Sequence, residues 1–321
     1  MLIRPFIGGL ATYLPILSRA SMRRTGGTDS AAYCYSVWLR HLVMAARNGL
    51  STMPETVAEL GPGDSLGIGL AALLSGARNY YALDAVKYAD IKRNLLVFDE
   101  LVELFRKRVP IPDESQFPAL KPYLESYEFP GHILTKERLR SALQQTRLDA
   151  IKAALAALGR DRVYHQQIAY FAPWDDPALL QQNSVDMIYS QAVLEHVDDL
   201  ERTYRMLSRW LKSDGFMSHQ VDFKSHGSAV EWNGHWTYSD FAWTVIRGKR
   251  PYLLNRQPHS VHLNLLTKNG LQIVCDQRHT TTSGVTRQQL ARRFQHLSDE
   301  DLKTSSAFVQ AVKTVCPGST S

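Results

Sequence analysis

The chain has 321 residues, 44% of them hydrophobic and 21% charged, which gives enough apolar material for a full globular core and excludes a disordered or fibrous chain. Its three cysteines (Cys34, Cys275, Cys316) stand far apart; this excludes a disulfide framework or a thiolate zinc cluster and fits a reducing, cytoplasmic setting. A formal net charge of +6 permits an anionic partner without demanding nucleic acid.

The first 28 residues carry Arg4, Arg19, Arg23 and Arg24 and no acid. Their apolar run over 5–17 is too short to span a bilayer and is interrupted by Pro15. This segment reads as a basic helix packed on the domain, with peripheral contact to an anionic membrane surface as the other reading. Tyr33, Tyr35 and Trp38 then recur at helix-packing spacing, behind a Gly26-Gly27 pair suited to a hinge.

Residues 57–60 read as a short buried strand bearing Glu59, followed by the turn Gly61-Pro62-Gly63-Asp64-Ser65 and a helix over 68–74. Glycine at alternate positions lets the backbone pass close to a ligand, because a Cβ there would block the approach. A second strand over 80–83 ends at Asp84. A strand, a glycine turn and an acid at this distance form the usual layout for holding a nucleoside, with the acid on the ribose hydroxyls. A dinucleotide fingerprint needs glycine where Leu66 stands, which argues against a nicotinamide enzyme. Asp64 and Ser65 also suit a helix cap, and Gly67 and Gly69 suit close packing of helix on strand.

An amphipathic helix is expected over 91–109, with Leu95, Phe98, Leu101, Val102 and Phe105 on one face. After a proline-rich interval over 110–130, Thr135 caps a long helix that reaches 158 and closes at Gly159. Strands follow over 162–168, 185–189 and 215–221, with a helix over 199–211 between the last two and a late strand over 271–275. Strands alternating with helices predict an α/β fold with a mostly parallel sheet covered on both faces. The expected organisation is a helical cap over 1–54, a main domain over 55–285 and a C-terminal helix and tail over 286–321. Two insertions interrupt the main domain: a helical one over about 87–160, and one rich in Trp, His and Arg over about 223–262.

The turn at 57–67, Asp84 and the block Asn183-Ser184-Val185-Asp186-Met187-Ile188-Tyr189-Ser190-Gln191-Ala192-Val193-Leu194-Glu195-His196-Val197 together resemble class I S-adenosylmethionine-dependent methyltransferases of the small-molecule branch. The resemblance covers about 55–85 and 162–222. It implies a Rossmann-like, seven-stranded sheet and S-adenosyl-L-methionine as the methyl donor. It further implies that Glu59, Gly61, Pro62, Gly63 and Asp64 border the methionine and ribose portions. Asp84 takes the ribose, Ala85 and Val86 flank the adenine with Trp174 or Asp175, and Ser190, Gln191 and Ala192 line the cleft. An N-terminal helix in such enzymes folds over the donor, which makes Tyr33 and Tyr35 candidates for its tail. Where the resemblance implies a metal, an acid stands three residues before the Glu-His pair; here that position is Ala192, and no metal is expected.

The acceptor side is read from residue types. Trp232, His235, Trp236, Arg247 and Arg256 combine aromatic faces with cations, suited to a sugar, an aromatic ring or an anionic group. His219 and Asp222, nearest the end of the fifth strand, are the first candidates for general base, with His196 as the third. The sequence lacks the Asn/Asp-Pro-Pro-aromatic tetrad of amino-group DNA methylation and a catalytic Pro-Cys pair, so a small-molecule acceptor is expected over nucleic acid. The expected reaction is methyl transfer to oxygen, or less readily nitrogen, of a small metabolite or sugar-bearing intermediate. A non-catalytic donor-binding scaffold and an RNA-directed enzyme are the alternatives, and oligomeric state is left open.

Overall fold

Seven strands alternate with helices as the apolar runs require, and a computed structural model describes residues 3–13, 27–158, 167–250 and 252–314. In chain order these comprise α1 (Ile3–Ala11), α2 (Ala31–Arg47), β1 (Thr56–Leu60), α3 (Gly67–Leu74), β2 (Asn79–Leu83), α4 (Ile91–Lys107), α5 (Lys136–Ala142) and α6 (Gln145–Ala157). There follow β3 (Ile168–Phe171), β4 (Val185–Gln191), α7 (Leu200–Trp210), β5 (Leu211–Asp222), α8 (Asp240–Arg247), α9 (His259–Lys268), β6 (Leu271–Thr280), α10 (Asp299–Lys303) and β7 (Thr304–Lys313). The sheet order is β3-β2-β1-β4-β5-β7-β6, parallel from β3 through β5, with β7 antiparallel to both its neighbours.

β1 is buried at every residue, as a central strand covered on both faces must be. After β3 the chain crosses to the other side of β1, so the carboxyl ends of β1 and β4 flank a topological switch point, where open α/β sheets bind their ligands. α3 lies against β2 closely enough that a Cβ on Gly69 would stand 2.0 Å from the Tyr80 ring, and one on Gly67 would stand 2.4 Å from Cys34 Sγ.

α2 begins at Ser30, whose side chain accepts from Tyr33 N, and is buried along most of its length. Its Arg40 is fully buried. The guanidinium donates to the carbonyls of Pro122 (2.6 Å) and Pro112 (3.0 Å) and sits over the Tyr127 ring. A buried cation survives only when its donors are occupied, so this residue ties the proline-rich interval to the domain.

Four expectations change. Thr135 does cap a helix, but the long helix is two, α5 and α6, broken at Leu143-Gln144. The third strand occupies 168–171 and not 162–168; residues 159–166 lie outside the described residues. The fifth strand starts at Leu211, where the helix ends, and bulges before Phe216. Residues 304–313, expected within a helix and tail, form β7, buried over its first eight residues between β5 and β6.

At the N-terminus α1 packs on α8, with Phe6 edge-on to Tyr238 and no room for a Cβ at Gly9 against the α8 backbone. Ile7 and Leu10 face outward. Arg19, Arg23, Arg24 and Gly26 lie outside the described residues. Among the described residues no helix is long and apolar enough to cross a membrane.

Candidate active site

The carboxyl ends of β1, β2 and β4 open into a cavity of about 570 Å³, within the usual range for a small-molecule site. Gly61 and Gly63 form its floor with φ of +69° and +73°, a conformation that side chains disfavour. A Cβ on Gly61 would also stand 2.6 Å from Val193 Cγ2, so the close approach of the two strand ends depends on glycine. Gly61 N donates to Leu83 O (2.8 Å) and Asp84 N to Phe171 O (2.9 Å), which joins the turn to the ends of β2 and β3.

Asp84 lines this cavity at the end of β2. Burial lifts its carboxyl to about 6, against hydrogen bonds from the Ala85 and Val86 backbone, Tyr170 and Gly63 that favour the charged form. Ala85, Trp174 and Asp175 also line the cavity, with Met206 and Arg202 of α7 opposite. Trp174 is held edge-on to Trp210, and Arg202 donates to the Asp175 carbonyl (2.6 Å). Both residues expected near an adenine therefore reach the cavity together. Gln191 and Ala192 line it from β4, and Pro62 from the turn.

Thr28 closes one side. Its Oγ1 accepts from Asp64 N (2.9 Å) and Ser65 N (3.3 Å), and its carbonyl accepts from Ser65 Oγ and Cys34 Sγ. The segment before α2 is thus fastened onto the glycine turn, and Tyr33 is carried to the cavity wall. Burial, then the neighbouring Cys34, raises the Tyr33 hydroxyl above its ordinary value, so it stands there as a neutral donor.

Several expected residues do not reach the cavity. Glu59 is buried beneath it and accepts from Tyr80 OH (2.5 Å) and Tyr189 OH (3.2 Å). Burial lifts its carboxyl to about 7, and its part is to join β1, β2 and β4. Ser190 is turned into the sheet, where its Oγ meets His219 Nδ1 at 2.8 Å. Val86 points to solvent, and the Tyr35 hydroxyl donates to Val109 O (2.7 Å) on the far side of α2. Asp64 is absent from the cavity wall, and α3 takes no side-chain cap from it: Leu66 N is met by Asn94 Oδ1 (2.9 Å) instead.

His219 is the main correction. It is 1% exposed, does not line the cavity, and burial pulls its pKa down to about 3. A base must touch the acceptor proton, and this imidazole is packed beneath α7, edge-on to Tyr204. Replacing His219 with glutamine should lower stability by roughly 1–3 kcal/mol and leave turnover within twofold. A large fall in kcat at unchanged melting temperature would return it to the chemistry.

The substrate candidates divide likewise. Trp236 is fully buried and donates to Arg256 O (2.9 Å). Arg256 is 4% exposed, bonded to Tyr238 O and Asp240 and covered by Trp243 and Phe294. His235, with its pKa pulled to about 3 by burial, meets Ser225 Oγ. These three are core of the second insertion; the spacing of aromatic and basic residues reads the same for a binding face and for a packed one. Arg247 pairs with Asp198 (2.6 Å), a residue of the cavity rim. Trp232 lines a second, smaller cavity of about 300 Å³ with Asp222, Lys224 and His226.

His196 stands between the two cavities. It lines the first, and its ring lies edge-on to His226 of the second at 5.1 Å. Burial, then His226, pulls His196 down to about 4. Glu195 is buried beside it, with its carboxyl pushed well above the usual range by burial. Sequence reasoning missed Thr28, Tyr88, Tyr252, Arg202 and Met206 of the larger cavity. Arg202 and Met206 carry the helical spacing of α7, which shows only that one face is shared.

The sequence profile of a family described as a methyltransferase domain matches residues 76–276, more than half of the chain. No curated protein matches the sequence. Similar solved structures include an S-adenosylmethionine-dependent methyltransferase from Mesorhizobium loti, 16% identical with a TM-score of 0.42, covering 84% of this chain and 97% of that one. The YcgJ protein of Bacillus subtilis is 13% identical with a TM-score of 0.41, over 86% of this chain and 99% of that one. Phosphoethanolamine N-methyltransferase 2 of Haemonchus contortus is 14% identical with a TM-score of 0.42, over 87% of this chain and 53% of that one. With the glycine floor and Asp84 in place at the switch point, the chain belongs to the methyltransferase-domain family and is a class I S-adenosylmethionine-dependent methyltransferase.

Proposed function

We propose that this enzyme methylates an oxygen, or less readily a nitrogen, of a small metabolite or sugar-bearing intermediate. One observation carries this reading: the small cavity of Asp222, Lys224, His226 and Trp232 adjoins the large one across the His196–His226 contact. A flat aromatic face and charged groups of both signs suit a polyhydroxylated or anionic acceptor.

The chain's own residues fit the donor. Asp84 would accept from the ribose hydroxyls, the Gly61–Gly63 backbone would meet the methionine portion, and Trp174 with Met206 would enclose the adenine. Tyr33 would donate to the tail. The bound donor supplies an electrophilic methyl group, so the protein's work is alignment and exclusion of water. Well-aligned reactants gain on the order of 7–11 kcal/mol in the most favourable systems. Asp222, with Lys224 Nζ at 3.4 Å on the wall of the smaller cavity, would take the acceptor's proton. Gln191 is held by His41 (3.3 Å) and Lys121 O (3.2 Å), which fixes this part of the cavity wall.

The test is a metabolite extract incubated with radiolabelled donor. Label is expected in hydroxylated, sugar-containing compounds, and Asp222→Asn should lower kcat at least tenfold while leaving donor affinity unchanged. Label confined to RNA, or none in any fraction, overturns the small-molecule reading.

A further inference from the structure

The Glu195-His196 pair lacks an acid at position 192, and on that ground no metal was expected. The fold brings a third donor from elsewhere. His226, in the segment after β5, stands beside the pair, and one ligating atom from each of Glu195, His196 and His226 lies within 4.8 Å of the others.

Two of these donors are buried with nothing to bind. Among the described residues, Glu195 Oε2 and His196 Nδ1 have no hydrogen-bond partner, although Glu195 is 3% exposed. A buried carboxylate oxygen left unpaired costs about 1–3 kcal/mol or more, so native structures keep such atoms only where something else satisfies them. The other Glu195 oxygen is occupied by Asp222 N (3.3 Å). The His196 ring lies edge-on to His226 with its Nδ1 shut off from solvent. His226 is steadied in turn by Asp222, whose carboxylate lies 3.7 Å from its Nε2.

We infer that Glu195, His196 and His226 hold a divalent transition-metal ion on the wall between the two cavities. Two imidazoles and one carboxylate select an ion of the zinc or ferrous class over magnesium or calcium, which prefer all-oxygen shells. Bonds of roughly 2.1 Å to such an ion place donors about 3–4 Å apart. The 4.8 Å spread closes by a rotation of His226, the most exposed of the three. Three protein ligands leave a position open, as in catalytic sites and unlike closed structural ones. With His226 on the wall of the smaller cavity, such an ion would be in reach of an acceptor there and could polarise its oxygen. This role rests on the proposed acceptor site; the binding of the ion does not.

The experiment uses the full chain, stripped with a chelator and titrated with cobalt(II), with no donor or acceptor present. We expect one ion per chain by calorimetry and a visible absorption band of low-coordinate cobalt, displaced by zinc. His226→Ala and Glu195→Gln should each weaken binding at least tenfold with near-native circular dichroism, and His132→Ala, at an exposed site elsewhere, should change nothing. Absence of stoichiometric binding by the parent chain overturns the inference. So does binding that survives both ligand variants unchanged, which would mark an adventitious ion only. Either negative result leaves the labelled-donor experiment free to succeed.

Discussion

Replacing Asp84 with alanine is expected to weaken S-adenosylmethionine binding by roughly 10- to 100-fold. Hydrogen bonds to a charged group contribute about 1.5–3 kcal/mol, and the carboxylate lines the cavity at the end of β2. The same residue makes binding sensitive to acid. Burial raises its carboxyl to about 6, against 3.8 when unperturbed. Ribose hydroxyls donate to the charged form, so affinity should fall as pH drops below about 6, and binding should release a proton near that pH. The linkage to folding has the opposite sense. A carboxyl raised by burial adds stability below its unfolded value and loses that contribution as pH rises through the folded one. Calorimetry of the parent chain, Asp84→Ala and Asp84→Asn from pH 5 to 8 checks all of this. The asparagine variant should lose the pH dependence; unchanged affinity in the alanine variant would remove Asp84 from the ribose site.

Gly69→Ala should destabilise the protein by about 2 kcal/mol or more, although alanine is the better helix former by about 1 kcal/mol. The new Cβ would lie 2.0 Å from Tyr80 Cζ, far inside contact distance. The ring has little freedom to retreat, because it is fully buried and its hydroxyl is bonded to Glu59. Overpacking of this kind costs about 1–3 kcal/mol, occasionally more. The sign of the change in melting temperature therefore decides between propensity and packing. A double-mutant cycle with Tyr80→Ala locates the cause: the double variant should lose less stability than the sum of the two single losses. Strict additivity would rule out the contact.

Local chemistry made the donor half legible. Gly61, Gly63 and Asp84 announce themselves because a close backbone approach and a strand-end acid allow few other residue types. The same logic misplaced Glu59 and Ser190, since a polar residue near a strand end reads alike whether it faces the cavity or the neighbouring strand. One step along β4 separates buried Ser190 from Gln191 on the cavity wall, and alternation alone does not say which face is open. The acceptor half was less legible. Trp236, His235 and Arg256 have the composition of a binding surface and the burial of a core, and only the packing of the second insertion distinguishes these. His226 stands about 30 residues beyond Glu195-His196 in the chain, so no spacing rule joins the three.

The place of β7 bears on how the protein is made. This strand is the last of the described elements, yet it sits inside the sheet and supplies the partners of both β5 and β6. On a ribosome, every earlier strand has emerged while the β5 edge still lacks its neighbour, and open apolar edges of that kind recruit other chains. Completion must wait for residue 313. A product that terminates before Thr304 would therefore be expected to aggregate, which makes translation through residues 304–313 a condition for obtaining any folded enzyme.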